Sequence, residues 1–442
     1  MFFNSYQFLF IFLPIVFSGF WLLKDRYRAT LLIVASIIFY SIWSITHLLL
    51  LILSIVVNYQ FAKRIEINYS KFLLLSAIVI NILPLFYFKY MLGVEDSSTV
   101  LPLAISFYTF QQIAFLIDLY QKRIILDGFQ RYLFFVLLFP QLIAGPIVHY
   151  NQLISQIKDG ALDRVDMKMV ESGIFIFSIG LFKKVAIADT FFALSNLSFG
   201  SISTLNSTDA WSGLIGYSLG IYFDFSAYSD MAIGLGLLFG ITLPVNFNSP
   251  YKASNIIDFW RRWHITLSDF LKNYIYIPLG GNRHGKGREV MSLILTMSIG
   301  GVWHGVGWGF LVWGFAHGVL LVIVHLFKNY IDIRYRYISI FITFLTVSLL
   351  WVLFRANSLY EAWDYYKILF GYNFTPIDIK VAIELTIGLL IVWTLPNAIE
   401  LMNYPKLKRV KWYYALFSGV LMFISLKIMA VSPAQSFVYF NF

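Results

Sequence analysis

Apolar runs long enough to cross a bilayer recur along the whole chain, and that repetition leaves few architectures open. A spanning helix needs roughly 20 mostly apolar residues. Such runs lie at 8–23, 30–60, 72–91, 100–120, 132–150, 171–191, 211–240, 289–306, 308–328, 337–355, 380–399 and 412–430. The run at 30–60 is long enough for one tilted helix or two short ones, with Trp43-Ser44-Ile45-Thr46 as the break. Only 13% of the 442 residues are charged, against about 25% in soluble globular proteins. The pattern predicts an all-α polytopic membrane protein of about 11–12 helices. No short-period repeat or low-complexity linker divides it, so residues 1–442 read as one integral-membrane domain. The run at 8–23 lacks a preceding basic stretch and a following small-residue cleavage site, and reads as a retained helix.

The remaining composition excludes whole classes of chemistry. There is no cysteine, so disulfides, thiolate metal sites and cysteine nucleophiles are ruled out. The formal charge is +10, but the cations are scattered between apolar segments and form no basic domain of the kind nucleic acid requires. Basic excess in such a chain suits cytoplasmic loops and anionic lipid headgroups. By that tendency the segment 244–288, rich in Lys and Arg, is a cytoplasmic or re-entrant basic segment. Within it Ile256–Phe270 reads as an amphipathic helix, and Tyr274–Asn282 as an extended piece ending in a turn.

The polar residues that could carry chemistry concentrate between Trp260 and His317. His304 lies between Trp303 and Gly305, with Gly300, Gly301, Gly307 and Gly309 nearby. A titratable group at membrane depth is costly and needs partners or a water-filled cavity. A neutral imidazole there can act as a general base; the competing use is a structural hydrogen bond to a neighbouring helix. His264 follows Trp263 and the pair Arg261-Arg262. It could orient His304, stabilise developing charge or contact a donor, or simply be satisfied by interfacial water. His317 is 13 residues beyond His304, about 220° away on a continuous helix; it reads as a packing or substrate-channel residue. No H-E-x-x-H and no acidic cluster with ligand spacing occurs, so no catalytic metal is expected.

Two further constellations stand out. Arg283, Lys286 and Arg288 sit among four glycines from Gly280 to Gly287, a composition that can hold phosphates or form an ordinary positive loop. Asp224 and Asp230 lie in an apolar run and should face an interior cavity or a cation. They could form an ion pair, anchor the basic segment or serve a proton path. Phe139–Pro146 reads as a helix broken by two prolines.

Taken in order, several stretches resemble the membrane-bound O-acyltransferase family. They are Phe3-Asn4-Ser5, Pro140–Pro146, Tyr222–Gly236, Asn246-Phe247-Asn248-Ser249-Pro250-Tyr251, Phe259–Ser268, Tyr276–Arg283, Gly301–Gly305 and Phe354-Arg355-Ala356. The likeness is to the bacterial branch that acetylates alginate, peptidoglycan and cellulose, and it covers nearly the whole chain. It implies helices around a central funnel, with His304 the essential histidine and His264 at the second signature position. Apart from the resemblance, the candidate substrate-binding residues are Trp303, Trp263, Arg261, Arg262, Arg283, Lys286, Arg288 and His317. The resemblance implies an enzyme of the bacterial inner membrane that holds no permanent cofactor. The enzyme would take acetyl-coenzyme A as cytoplasmic donor and act toward an extracytoplasmic polysaccharide, with an acetylesterase-like partner completing the transfer. Neighbouring readings are D-alanyl transfer to a wall polymer and a transporter or flippase without acyl chemistry. The Trp-His-Gly element separates the last from the others, because transport alone does not require it.

Overall fold

The computed structural model describes residues 1–92, 101–327, 335–407, 409–432 and 435–438. Residues 100 and 328, at the margins of two expected spans, lie outside that set. Among the described residues the elements are helices, with no strand. The chain is a multi-pass, all-α membrane protein. Among the described residues five helices are long and apolar enough to cross a bilayer: Ile45–Asn68, Lys71–Met91, Trp308–Phe327, Arg336–Arg355 and Trp412–Val431. Of the other expected spans, 211–240 lies almost wholly in the continuous helix Ser207–Leu238 and 289–306 in Lys286–His304, while the run at 132–150 is interrupted. The run at 30–60 divides into Asp25–Ser41 and Ile45–Asn68. Ser44 caps the second, its hydroxyl accepting from the His47 N–H at 3.2 Å.

The expected span at 132–150 requires correction. It becomes helix Phe129–Leu137, a four-residue helix Phe139–Leu142 and a turn before Tyr150–Lys158. Pro140 has no N–H to donate to the carbonyl one turn earlier, so a helix continued through it would lose that bond and clash. The chain leaves helical geometry at Leu138, with ψ 109°, and restarts at Phe139 with Pro140 in the first turn. The backbone groups released by the break are taken up by side chains. The Phe139 N–H donates to Ser36 Oγ at 3.0 Å. The Phe135 carbonyl accepts from Gln141 Nε2 at 2.6 Å and Gln111 Nε2 at 3.0 Å. Irregular backbone in an apolar setting survives only when its polar groups are satisfied in this way.

The chain packs as two compact units. The first comprises 1–182, 227–245 and 398–442. Its helices are fastened by buried amides: Asn58 and Asn81 exchange hydrogen bonds of 3.0 and 2.6 Å, and Gln112 reaches Ser54 Oγ at 3.0 Å. Phe8, Phe12, Phe39 and Phe139 form an aromatic core against which Phe239 packs.

The second unit comprises 183–226 and 246–397. Its principal feature is a helical hairpin, Lys286–His304 followed by Trp308–Phe327. The chain reverses at Gly305–Gly307, where Gly307 has φ +120°, a conformation open mainly to glycine. Along the hairpin, Gly301 faces Gly314 so closely that a Cβ on either would come within about 3.1 Å of the other's backbone. Small residues at such a crossing let helices approach by van der Waals contact, the main attraction available in lipid. Elsewhere in this unit Lys184 is buried with its ammonium 2.8 Å from Asp224 and 2.7 Å from Asp189. Asp224 thus meets the cation its setting demands, supplied by Lys184 rather than by the basic segment.

Candidate active site

The site is built from two pieces of the second unit: the Asn246–Leu271 segment and the open end of the hairpin. Asn255 caps helix Ile256–Trp260 by accepting from the Asp258 N–H at 2.9 Å. Arg262 turns back to Asp258 at 2.8 Å and to the Asn248 carbonyl at 3.3 Å. The expected helix over Ile256–Phe270 is interrupted. His264 adopts φ 41° and ψ 55°, and helix Ile265–Leu271 begins after it. A left-handed non-glycine residue is uncommon, though histidine tolerates it better than most. Two backbone bonds hold the kink, Asn248 N–H to Arg262 O and Ile265 N–H to Asn246 O, each 2.9 Å.

His264 is fully buried. Its Nδ1 lies 3.1 Å from Asn246 Oδ1, and Phe225 meets the ring edge-on at 4.7 Å. Burial pushes its imidazolium down to about 3, so the ring is neutral at physiological pH. His304, the last residue of its helix, is 2% exposed. Its ring is packed by Trp303 at 4.9 Å, Trp313 at 5.3 Å and Phe354 at 5.3 Å. Trp303 in turn lies 6.4 Å from the His264 ring.

His317 joins the same shell. The hairpin reverses the chain, so a continuous-helix angle does not govern its position relative to His304. Both rings border Trp313, His317 at 4.8 Å. Trp260 Nε1 donates to His317 Nδ1 at 3.2 Å. An indole N–H can only donate, so Nδ1 carries the lone pair and the neutral ring holds its proton on Nε2. That Nε2 is buried without a hydrogen-bond partner among the described residues.

Three histidines therefore converge on a shell of Trp260, Trp303, Trp313 and Phe354. Trp263 is buried beside it, 5.1 Å from Trp351. Arg261, Arg283, Lys286 and Arg288 occupy exposed positions. Arg288 is partly committed to structure, since its Nε donates to the Leu279 carbonyl at 2.7 Å. The segment expected to be extended at Tyr274–Asn282 instead coils as a wide helical turn, Lys272–Tyr276, and then turns through Gly280 and Gly281. Their φ values of +117° and +54° explain the glycines. Asn246, Thr266, Trp313 and Phe354 received no role from sequence. Trp313 stands four residues before His317, a spacing that places both on one helix face and could have signalled the pairing.

A family model for membrane-bound O-acyltransferases matches residues 126–363. The chain belongs to the membrane-bound O-acyltransferase family. All three histidines of the buried shell fall inside the matched region. This O-acyltransferase is 41% identical over 421 residues to a peptidoglycan O-acetyltransferase of Helicobacter pylori, covering 84% of this chain and 80% of the relative. It is 39% identical over 400 residues to the probable alginate O-acetylase AlgI of Pseudomonas aeruginosa, covering 84% and 75%. A teichoic acid D-alanyltransferase of Bacillus subtilis is more distant, 26% identical over 318 residues with 67% and 76% covered.

Proposed function

We propose that this O-acyltransferase transfers an acetyl group from acetyl-coenzyme A at the cytoplasmic side of the bacterial inner membrane, toward the hydroxyls of an extracytoplasmic cell-wall or cell-surface glycan. The observation that carries the reading is the buried shell in which His304 and His264 flank Trp303. The acetyl-transferring relatives, at 41% and 39% identity, both carry names of glycan acetylation. His304 is the general base: as the acceptor O–H breaks, its proton moves to the imidazole, the oxygen bonds to the acetyl carbon, and the C–S bond breaks. The departing thiolate takes the proton, which returns the histidine neutral. His264 is the second catalytic histidine. Trp303, Trp263 and His317 contact substrate, and the buried Nε2–H of His317 supplies a donor for a carbonyl or hydroxyl oxygen. Arg261, Arg262, Arg283, Lys286 and Arg288 attract the donor's phosphates. An extracytoplasmic acetylesterase-like protein receives the group where the acceptor lies beyond the membrane.

The test is transfer of radiolabelled acetyl from acetyl-coenzyme A in proteoliposomes offered peptidoglycan or alginate fragments, with and without such a partner. Label appearing on a glycan only in the presence of the protein supports the reading. A D-alanyl thioester of a carrier protein is run in parallel. Transfer from that donor and not from acetyl-coenzyme A would replace acetyl with D-alanyl.

A further inference from the structure

We propose that Asn246 is a positioning residue that fixes the tautomer of His264, holding the proton on Nδ1 so that Nε2 carries the lone pair and the histidine acts as an acceptor. Its importance for catalysis rests on the transfer reaction proposed above; the tautomer itself does not.

The assignment follows from which groups can only donate. Asn246 is completely buried. Its side-chain oxygen receives the Thr266 backbone N–H at 3.3 Å and the Thr266 hydroxyl at 2.9 Å. A backbone N–H has no lone pair to offer, so the amide atom facing it is the oxygen and not the NH2. His264 Nδ1 stands 3.1 Å from that same oxygen. Two acceptors do not attract, so Nδ1 carries a proton and donates it. In a neutral imidazole the other nitrogen then carries the lone pair.

The surroundings keep the arrangement in register. The Asn246 carbonyl accepts from the Ile265 N–H at 2.9 Å, which ties the asparagine to the residue after the histidine. Phe225 meets the imidazole edge-on at 4.7 Å and Phe247 lies roughly parallel to it at 6.3 Å, which limits rotation of the ring. The consequence removes one of the roles that sequence left open, donation to developing negative charge. Neutral His264 has no N–H on Nε2, so that nitrogen cannot donate to an oxyanion. It can receive a hydrogen bond or a proton, and the Asn246 oxygen at Nδ1–H then favours the resulting cation. A group that orients an imidazole through its other nitrogen is a recognised source of catalytic tautomer control.

The primary experiment needs no substrate. His264–Ile265 is the sole His–Ile step in the sequence. Carbonyl-13C,ring-15N histidine combined with 15N isoleucine therefore singles out this residue in solid-state NMR of the full chain in lipid. The expected result at neutral pH is a protonated Nδ1 and an unprotonated Nε2. A protonated Nε2 overturns the proposal. The second arm compares Asn246→Leu, which removes the acceptor, with Asn246→Asp, which keeps one. Asn246→Leu is expected to mix the tautomers and lower kcat about 10²-fold with donor KM unchanged. Asn246→Asp is expected to retain the wild-type tautomer and recover most of the rate. Equal loss in both variants, or a wild-type rate in Asn246→Leu, overturns the positioning role. If the leucine variant fails to fold, the wild-type spectrum still decides the tautomer. Failure of acyl transfer with every donor and acceptor would remove the proposed function and leave the spectroscopic result standing.

Discussion

Replacing Gly314 by alanine should disable the site without touching any polar group. The new Cβ would stand 3.0 Å from Gly301 Cα and 3.1 Å from Gly301 N, and closer still to the Met297 carbonyl oxygen. Unstrained carbon contacts lie at about 3.5–4.0 Å. The two helices must therefore separate by about 0.5–1 Å, at an overpacking cost of about 1–3 kcal/mol. His304 lies three residues beyond Gly301, and its neighbour Trp313 directly precedes Gly314, so the displacement falls on the His304–Trp313 contact of 5.3 Å. A misplacement of about 1 Å can cost about 10²-fold in rate. The assay pairs acetyl-transfer kcat in proteoliposomes with the midpoint of thermal inactivation in detergent. Both should fall. Gly419→Ala is the internal control, because nothing among the described residues lies within 4 Å of its added Cβ; it should match or slightly exceed wild-type stability. If Gly314→Ala keeps both the wild-type rate and the wild-type midpoint, the close glycine crossing does not position His304.

Four other outcomes are expected. His304→Ala should lower kcat by about 10²–10⁴-fold, with expression and detergent stability near wild type; wild-type turnover in membranes would remove its role as base. Alanine at Arg283, Lys286 and Arg288 together should raise the KM for acetyl-coenzyme A and be mimicked by added salt in the wild type, since exposed cations are screened. Loss of kcat at unchanged KM would point instead to a structural role for that loop. A cysteine introduced at Asn282, in a chain with no native cysteine, should resist an impermeant thiol reagent applied outside intact cells and react in inverted vesicles. Lys184→Met should destabilise by about 3–5 kcal/mol, because it leaves the buried Asp224 without its ammonium, while adding Asp224→Leu should restore much of the loss; an unfolding midpoint reads both.

Sequence made the solvent legible more readily than the helix boundaries. Runs of apolar residues identify a lipid environment whatever their local geometry. They do not reveal where the backbone will break, because the bonds that make a break tolerable come from elsewhere. Within the 132–150 run Pro140 and Pro146 did mark a break, as the structure shows; what sequence hid is how it is tolerated, since Ser36 and Gln111, which take up the released backbone groups, are remote. The division of 30–60 was easier to see, since Ser44 carries its own local cap. The turn expected at the end of Tyr274–Asn282 forms at Gly280 and Gly281, but the approach to it coils as Lys272–Tyr276 instead of running extended.

The site divides along the same line. Trp-His and glycine spacing drew attention to His264 and His304, because polar groups in an apolar chain are rare enough to be conspicuous. Their relation to His317 was not legible, since angular reasoning along a helix fails once Gly305–Gly307 turns the chain back. What each ring can do depends on still finer detail. His317 has its Nδ1 occupied by the indole of Trp260, 57 residues earlier, and so presents a donor. His264 has its Nδ1 opposite the amide of Asn246, 18 residues earlier. The same side chain thus meets an obligate donor in one place and an acceptor in the other. Residue identity supplies an imidazole with two interchangeable nitrogens. Tertiary partners make those nitrogens different, and that difference gives one ring a proton to donate and the other a lone pair to receive one.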